Sequence, residues 1–479
     1  MSAIDRPYPA YRPAEVRLIW SRVWLYGIGE IPMTASMVLF GLFLLFFYNS
    51  VMGLPAPLAG LAFAAGLALD AALDPFIGFR SDRSRHPLGR RRSFMLAGTL
   101  TMGVSFALLF RPPRSLGMAG LFFWLLACSM LFRFTTAVYR IPYLSLGAEL
   151  SEDYDERTLI MAVRSVCGLA GALSAAALSF LFFFRSGSEG TDAKLSYASY
   201  PNLGLAFGAL HTIAGLVAFF GTAGHRDPVW ATAATRVSGF WHGFRTAMAN
   251  RAFRSVWFSF TLFYAAVILN ATLSVQFFTW CAQIRDAAAL SRAQVSFGTG
   301  ACCGIALWMA LVRRGEKRTW YALGMLGTSL MLIAAAVLIG PGKLLGVGRV
   351  WSLLAGYGVA GLFASVLWVL PPSMLADIAD QDESVTGSRR EGVYFGMLNF
   401  GEKVASGFAV LFGGFLLQYF VRLVPASPVQ TPGVIGRLSL LFGLAPGLML
   451  LGSLVLIVPY NLSRAATRNI QRHLARPSW

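Results

Sequence analysis

Pro57-Leu-Ala-Gly60-Leu-Ala-Phe-Ala-Ala-Gly66-Leu-Ala-Leu-Asp70-Ala-Ala-Leu-Asp74-Pro75 is followed at once by Gly78-Phe-Arg80-Ser-Asp82-Arg83-Ser-Arg-His-Pro-Leu-Gly89-Arg90-Arg91-Arg92. The first stretch is apolar over nearly the ~20 residues that a helix needs to cross ~30 Å of hydrocarbon. The second gathers cations where that helix ends, as membrane helices do on their cytoplasmic side. Moving outward with the same ruler, the 479-residue chain divides into twelve candidate spans. They centre near Phe40, Leu67, Thr101, Cys128, Ala172, Ile213, Ala265, Ile305, Leu332, Leu362, Val410 and Met449. Composition agrees, with 56% hydrophobic and 13% charged residues, where a soluble domain carries about 25% charge. The expected class is an all-α polytopic membrane protein.

Connections are short except one. Residues 225–255 form a central cytoplasmic loop between an N-terminal six-helix half, 1–224, and a C-terminal six-helix half with a tail, 256–479. Of the 40 Lys and Arg residues, twenty-six fall in the termini and even-numbered connections and ten in the odd-numbered ones. Cations are retained inside, so both termini are expected to be cytoplasmic in a cell membrane, most simply a bacterial inner membrane. This asymmetry accounts for most of the net charge of +18 without a nucleic-acid partner. The expected partners are a bilayer and a small solute, with a monomer as the simplest state.

The four remaining cations, Arg133, Arg140, Arg164 and Lys403, lie inside spans, as do the carboxylates Glu30, Asp70, Asp74 and Glu402. Ionisable groups at membrane depth mark a pathway or a pair. Asp70 and Asp74 are one helical turn apart and share a face, with Cβ atoms ~6 Å apart. Both ionised, they repel by about 3 kcal/mol at an effective dielectric of about 20. The pair can therefore share a proton, a sodium ion or the cationic head of a neighbouring helix, and spacing alone leaves all three open. Arg133 and Arg140 stand seven residues apart on nearly one face of span four. For Arg133 and Glu402 neutral pairing inside the bundle is the simpler expectation, whereas Arg140 and Lys403 are expected to meet substrate.

On the cytoplasmic side, Asp82, Arg83, Gly89, Arg90 and Arg91 surround a glycine turn, facing the acidic exit of span four from Glu149 to Arg157. Charge-assisted hydrogen bonds between them would make a conformational latch. An enzyme is not expected. Four of the five histidines sit in loop segments, His211 stands alone, and no phosphate loop, paired-His zinc motif or nucleophile elbow is present. No cofactor is expected, nor any metal beyond a possible sodium at Asp70 and Asp74. A membrane receptor or scaffold is the remaining non-transport class, but it has no need of carboxylates at mid-helix. Two six-span halves with buried charges suit a transporter working by alternating access.

Several motifs together resemble the glycoside-pentoside-hexuronide:cation symporters of the major facilitator superfamily, which includes the melibiose carrier. They are Tyr26-Gly-Ile-Gly29, Phe47-Tyr-Asn-Ser-Val-Met-Gly-Leu54, Asp70-Ala-Ala-Leu-Asp74-Pro75, Ser81-Asp82-Arg83 with Gly89-Arg90-Arg91, and Ile141-Pro-Tyr143 through Glu149 to Asp153-Tyr-Asp-Glu-Arg157. Ala376-Asp377-Ile-Ala-Asp380 through Arg390-Glu-Gly392 to Glu402-Lys403 completes the set. The resemblance implies the major facilitator fold and cation-coupled symport of a sugar or glycoside. It gives Asp70 and Asp74 the coupling ion, places Lys403 between ion and substrate, and sets Arg164 near the sugar. Two oxygen ligands of the family's sodium site are absent, since Leu73 replaces an Asn and Ala137 a hydroxyl, which favours a proton. Where the melibiose carrier holds its sugar, this chain has Thr34, Arg140 and Leu144; with Glu30 they complete the candidate substrate residues. An arginine fork matches a carboxylate, sulfate or phosphate, so an anionic solute is expected, with a lysolipid or other amphiphile as the alternative.

Overall fold

The computed structural model describes residues 20–84, 86–151, 154–184, 192–223, 240–386 and 391–474. Among the described residues, twelve helices are long and apolar enough to span a membrane, and each contains one expected centre. Spans one to six are Trp20–Val51, Ala56–Ser81, Arg92–Leu109, Met118–Gly147, Leu159–Phe183 and Ser199–Gly221. Spans seven to twelve are Arg251–Cys281, Ala287–Val312, Lys317–Leu338, Val350–Thr386, Gly392–Val421 and Pro432–Ile457. Outward-facing Leu100, Val104, Phe123, Ile213 and Phe220 are exposed, as apolar side chains directed at lipid must be.

The stretch read as the central loop is shorter than expected. It contains a helix, Phe240–Ala249, and the first turn of span seven. Asn250 sets that start, because its side chain accepts from the backbone N–H groups of Ala252 and Phe253 at 2.9 and 3.1 Å, satisfying two donors that a helix end leaves free. Residues 224–239 lie outside the described set.

Span one is broken at Gly29 and Glu30, just before Pro32, whose ring cannot donate to the helix ladder. Carbonyls at the break find tyrosines instead. Tyr139 Oη donates to Gly29 O at 3.0 Å and Tyr143 Oη to Tyr26 O at 3.0 Å. The rings of Tyr26 and Tyr143 stack at 4.6 Å, and those of Tyr139 and Tyr143 at 5.3 Å. Only glycine permits this approach, since a Cβ on residue 29 would lie 2.5 Å from Tyr139 Oη. Span ten is also interrupted, at Ser365, and carries Pro371 and Pro372 inside its second part.

The halves meet chiefly through spans two and eleven, five and eight, and one and seven. Spans two and eleven run antiparallel in close contact from Ala56 against Gly414 to Leu67 against Gly407. Farther along, Gly392 and Gly396 have open space where a Cβ would project, so the two helices part toward the end that carries the arginine loops. The opposite end is sealed. Lys194 Nζ donates to Ile284 O at 3.0 Å, Ala426 N to Asn49 O at 3.3 Å, and Phe46 packs on Trp280 at 5.8 Å. The bundle is thus closed at one end and parted at the arginine-rich end.

Candidate functional site

Two groups of charge lie at mid-depth between the halves. In the first, Lys403 Nζ of span eleven contacts Asp70 Oδ2 at 3.0 Å and Asp74 Oδ2 at 2.6 Å. The one-turn spacing that puts both acids on one face of span two is what lets a single ammonium touch both. The side chains of Lys403 and Asp74 are 16% and 29% exposed and that of Asp70 is 7% exposed, so the group is reached from the parted end. Arg133 lies in electrostatic range of Asp70. Its guanidinium faces the rings of Phe40 and Phe63 at 5.5 and 5.3 Å, a cation–π setting that offsets part of its desolvation.

In the second group Glu30, presented by the break in span one, meets Arg164 of span five at 3.6 Å. That separation is an ion pair without the close geometry of a hydrogen bond. Arg140 acts electrostatically on both Glu30 and Glu402. Arg140 and Arg164 therefore do not share Asp70 and Asp74 with Lys403; they sit with the other two carboxylates. Four interior cations face four interior carboxylates, and Glu402 and Arg133 each lie beside an opposite charge.

Thr34 and Leu144 border this region with little free chemistry. The Thr34 hydroxyl donates back to Ile31 O at 3.2 Å, and Leu144 is half-buried against the apolar core. Tyr264 of span seven was not singled out by sequence. It is 7% exposed, in electrostatic range of Glu402 and Arg140, and its Oη lies 3.7 Å from Met37 Sδ across the halves. A single tyrosine in an apolar span carries no pattern that would flag it.

At the arginine-rich end Gly89 adopts φ +99°, the left-handed region that favours glycine. Arg90 and Arg91 beside it are buried and engaged. Arg83 stacks on Phe79 of its own helix at 3.6 Å. The side chains of Asp82, Glu149 and Arg157 lie outside the described set. Arg92, which the latch expectation omitted, donates to Phe219 O of span six at 3.1 Å. The C-terminal half carries a counterpart that sequence reading missed: Lys317, at the start of span nine, meets Asp377 of span ten at 2.5 Å. Sixty positions separate the two, too far for any helical spacing to reveal.

Comparison with known proteins places the chain. The family described as MFS/sugar transport protein matches residues 25–464, and the chain belongs to it: it is an integral, multi-pass transporter of the major facilitator class. The glucuronide carrier protein homolog of Escherichia coli is 25% identical over 92% of this chain and 92% of its own. The sphingosine-1-phosphate transporter MFSD2B of Xenopus tropicalis is 26% identical over 91% of this chain and 87% of its own. A bacterial homolog of the lysosomal transporter Spinster, solved in an inward-facing and unoccupied conformation, shares the fold with a TM-score of 0.66 at 13% identity, covering 96% of this chain and 98% of that one.

Proposed function

We propose that this protein is a cation-coupled symporter of an anionic organic solute of the sugar or glycoside class, with its arginine-rich end in the cytoplasm. The observation that carries the reading is the single ammonium of Lys403 shared by Asp70 and Asp74, reachable between the halves. A proton or sodium ion arriving at the two carboxylates takes over the neutralising role of Lys403 and releases it. The freed ammonium, with Arg140 and Arg164, then offers cationic hydrogen-bond donors to a carboxylate or other anionic group. Charge balance couples the two events. The interior cations and carboxylates are equal in number, so with the acids ionised an anion entering alone leaves an uncompensated charge at low dielectric, and an anion entering with one cation does not. Leu73 and Ala137 supply no oxygen, which favours a proton over a sodium ion that needs about six ligands.

Proteoliposomes with separately imposed proton and sodium gradients test this, with an internal pH dye reporting as neutral sugars, uronates and lysolipids are added in turn. Uronate-dependent acidification lost in Asp70→Asn supports the reading, and equal uptake without any gradient overturns it. The relation to the sphingosine-1-phosphate transporter favours a second reading, an amphiphile with an anionic head, and acidification by the lysolipids alone would select it.

A further inference from the structure

A cavity of about 300 Å³ opens at the arginine-rich end of the C-terminal half, away from the central site. Four cations line it, Arg313, Lys317, Arg464 and Arg468, with two acids, Glu316 and Asp377. Both acids are already occupied. Asp377 holds Lys317 at 2.5 Å, and Lys317 also donates to Ser373 O at 3.2 Å. Both Glu316 carboxylate oxygens accept from the backbone N–H of Arg464, at 3.3 and 3.0 Å, capping the terminal helix Arg464–Leu474. The guanidinia of Arg313, Arg464 and Arg468 have no ion pair or hydrogen bond among the described residues. With Asp377 matched by Lys317, three guanidinia face the single remaining carboxylate of Glu316, which leaves a surplus of positive charge suited to an oxyanion.

Position decides where that oxyanion comes from. Span eight ends at Val312 and span nine begins at Lys317, so the cavity mouth lies at the level where helices leave the hydrocarbon. The terminal helix begins a few residues beyond the end of span twelve at Ile457 and packs on span ten. Its Arg464, Arg468 and Arg472 follow one another at four-residue steps along one exposed face, while Thr467 and Ile470 turn inward. A helix with a basic stripe beside a bilayer and a basic pocket between span ends are each recognised by anionic lipid headgroups.

We propose that this cavity binds the phosphate of an anionic phospholipid, such as phosphatidylglycerol, from the leaflet at the arginine-rich end, with Arg313, Arg464 and Arg468 as donors. The lipid ties the terminal helix to spans eight to ten. The site is independent of the transported solute.

The test is native mass spectrometry of the full chain released from nanodiscs of phosphatidylcholine with or without phosphatidylglycerol. Wild type is compared with an Arg313→Gln, Arg464→Gln, Arg468→Gln triple variant. A second triple, Arg111→Gln, Arg292→Gln, Arg349→Gln, removes the same charge at the opposite end. Retained phosphatidylglycerol is expected to fall several-fold in the first triple and to stay at the wild-type level in the second. Equal retention in all three proteins, or equal loss in both triples, overturns the proposal. Inorganic phosphate added to detergent-solubilised protein is the second arm. Displacement of the lipid by millimolar phosphate would reassign the site to a soluble anion. Should the first triple not fold, Arg468→Gln alone, which removes a side chain with no partner among the described residues, must still lower retention, and no change in it overturns the proposal.

Discussion

Lys403 and Lys194 both join the two halves, but one sits at mid-depth against two carboxylates with 16% of its side chain exposed, and the other is 1% exposed at the sealed end. Lys194 has one carboxylate, Asp192 at 2.8 Å, and a backbone carbonyl, Ile284 O at 3.0 Å. Lys194 and Asp192 are almost fully withdrawn from solvent, at 1% and 9% exposed, so no ion from solution reaches that junction while it is shut. The Lys403 junction consists of side-chain charges alone, and a cation from solution can take the place of the ammonium. On the proposed function, exchangeable partners suit a coupling site and the buried Lys194 contact suits a gate.

The comparison breaks most severely at the carboxylates. In Asp70→Asn or Asp74→Asn, gradient-driven accumulation should drop to the level of protein-free liposomes while solute exchange survives; accumulation at wild-type level in both variants would remove the coupling role. Next, Arg140→Gln and Arg164→Gln should each lower uptake of an anionic solute by one to two orders of magnitude, the ~1.5–3 kcal/mol of a charged hydrogen bond, and spare any neutral analogue that is carried. A loss common to both solutes would assign these arginines to structure alone.

Lys194→Met tests the other side. It strands the half-sealed Asp192 at a cost of about 1–3 kcal/mol and loosens the gate. A cysteine placed at Ala426 should react with maleimide several-fold faster than in the Lys194 protein, while coupling stoichiometry is unchanged. Altered stoichiometry would show that the two junctions are not separate devices. A smaller effect follows from pH. Burial pushes the Lys194 ammonium below its ordinary value of 10.5. Opening returns it to water and restores its proton affinity, so just below that value the opened state binds more protons and rising pH favours the sealed one. Labelling at position 426, relative to the Lys194→Met protein, should therefore slow as pH rises toward the ordinary lysine value of 10.5; a pH-independent ratio would place the ammonium in water already. The smallest effect is Asn250→Ala, which removes a helix cap far from both junctions. It should cost about 1 kcal/mol in thermal unfolding and leave coupling and labelling untouched.

Much of the bundle was legible along the chain, because each span must satisfy its own backbone hydrogen bonds and so declares itself by local apolar length. The twelve centres, the two halves and the shared face of Asp70 and Asp74 are properties of neighbouring residues. The break in span one was half legible: Gly29 and Pro32 announce it, but the tyrosines of span four that accept its geometry do not. The short helix inside the central connection was not legible, because the Asn250 cap and the ten-residue helix before it carry weak apolar signals.

The sequence by itself determined the class of protein, the placement of charge at membrane depth and the Asp70–Asp74 pair. Tertiary structure alone decided which cation answers which acid. Lys403 stands 329 positions from Asp74, and four cations among four carboxylates admit many neutral pairings. Only the antiparallel packing of spans two and eleven brings that one ammonium within reach of both. The same holds for Lys317 with Asp377 and for the lysine seal at Ile284, since electrostatic attraction depends on distance in space and residue spacing fixes that distance only within a single helix.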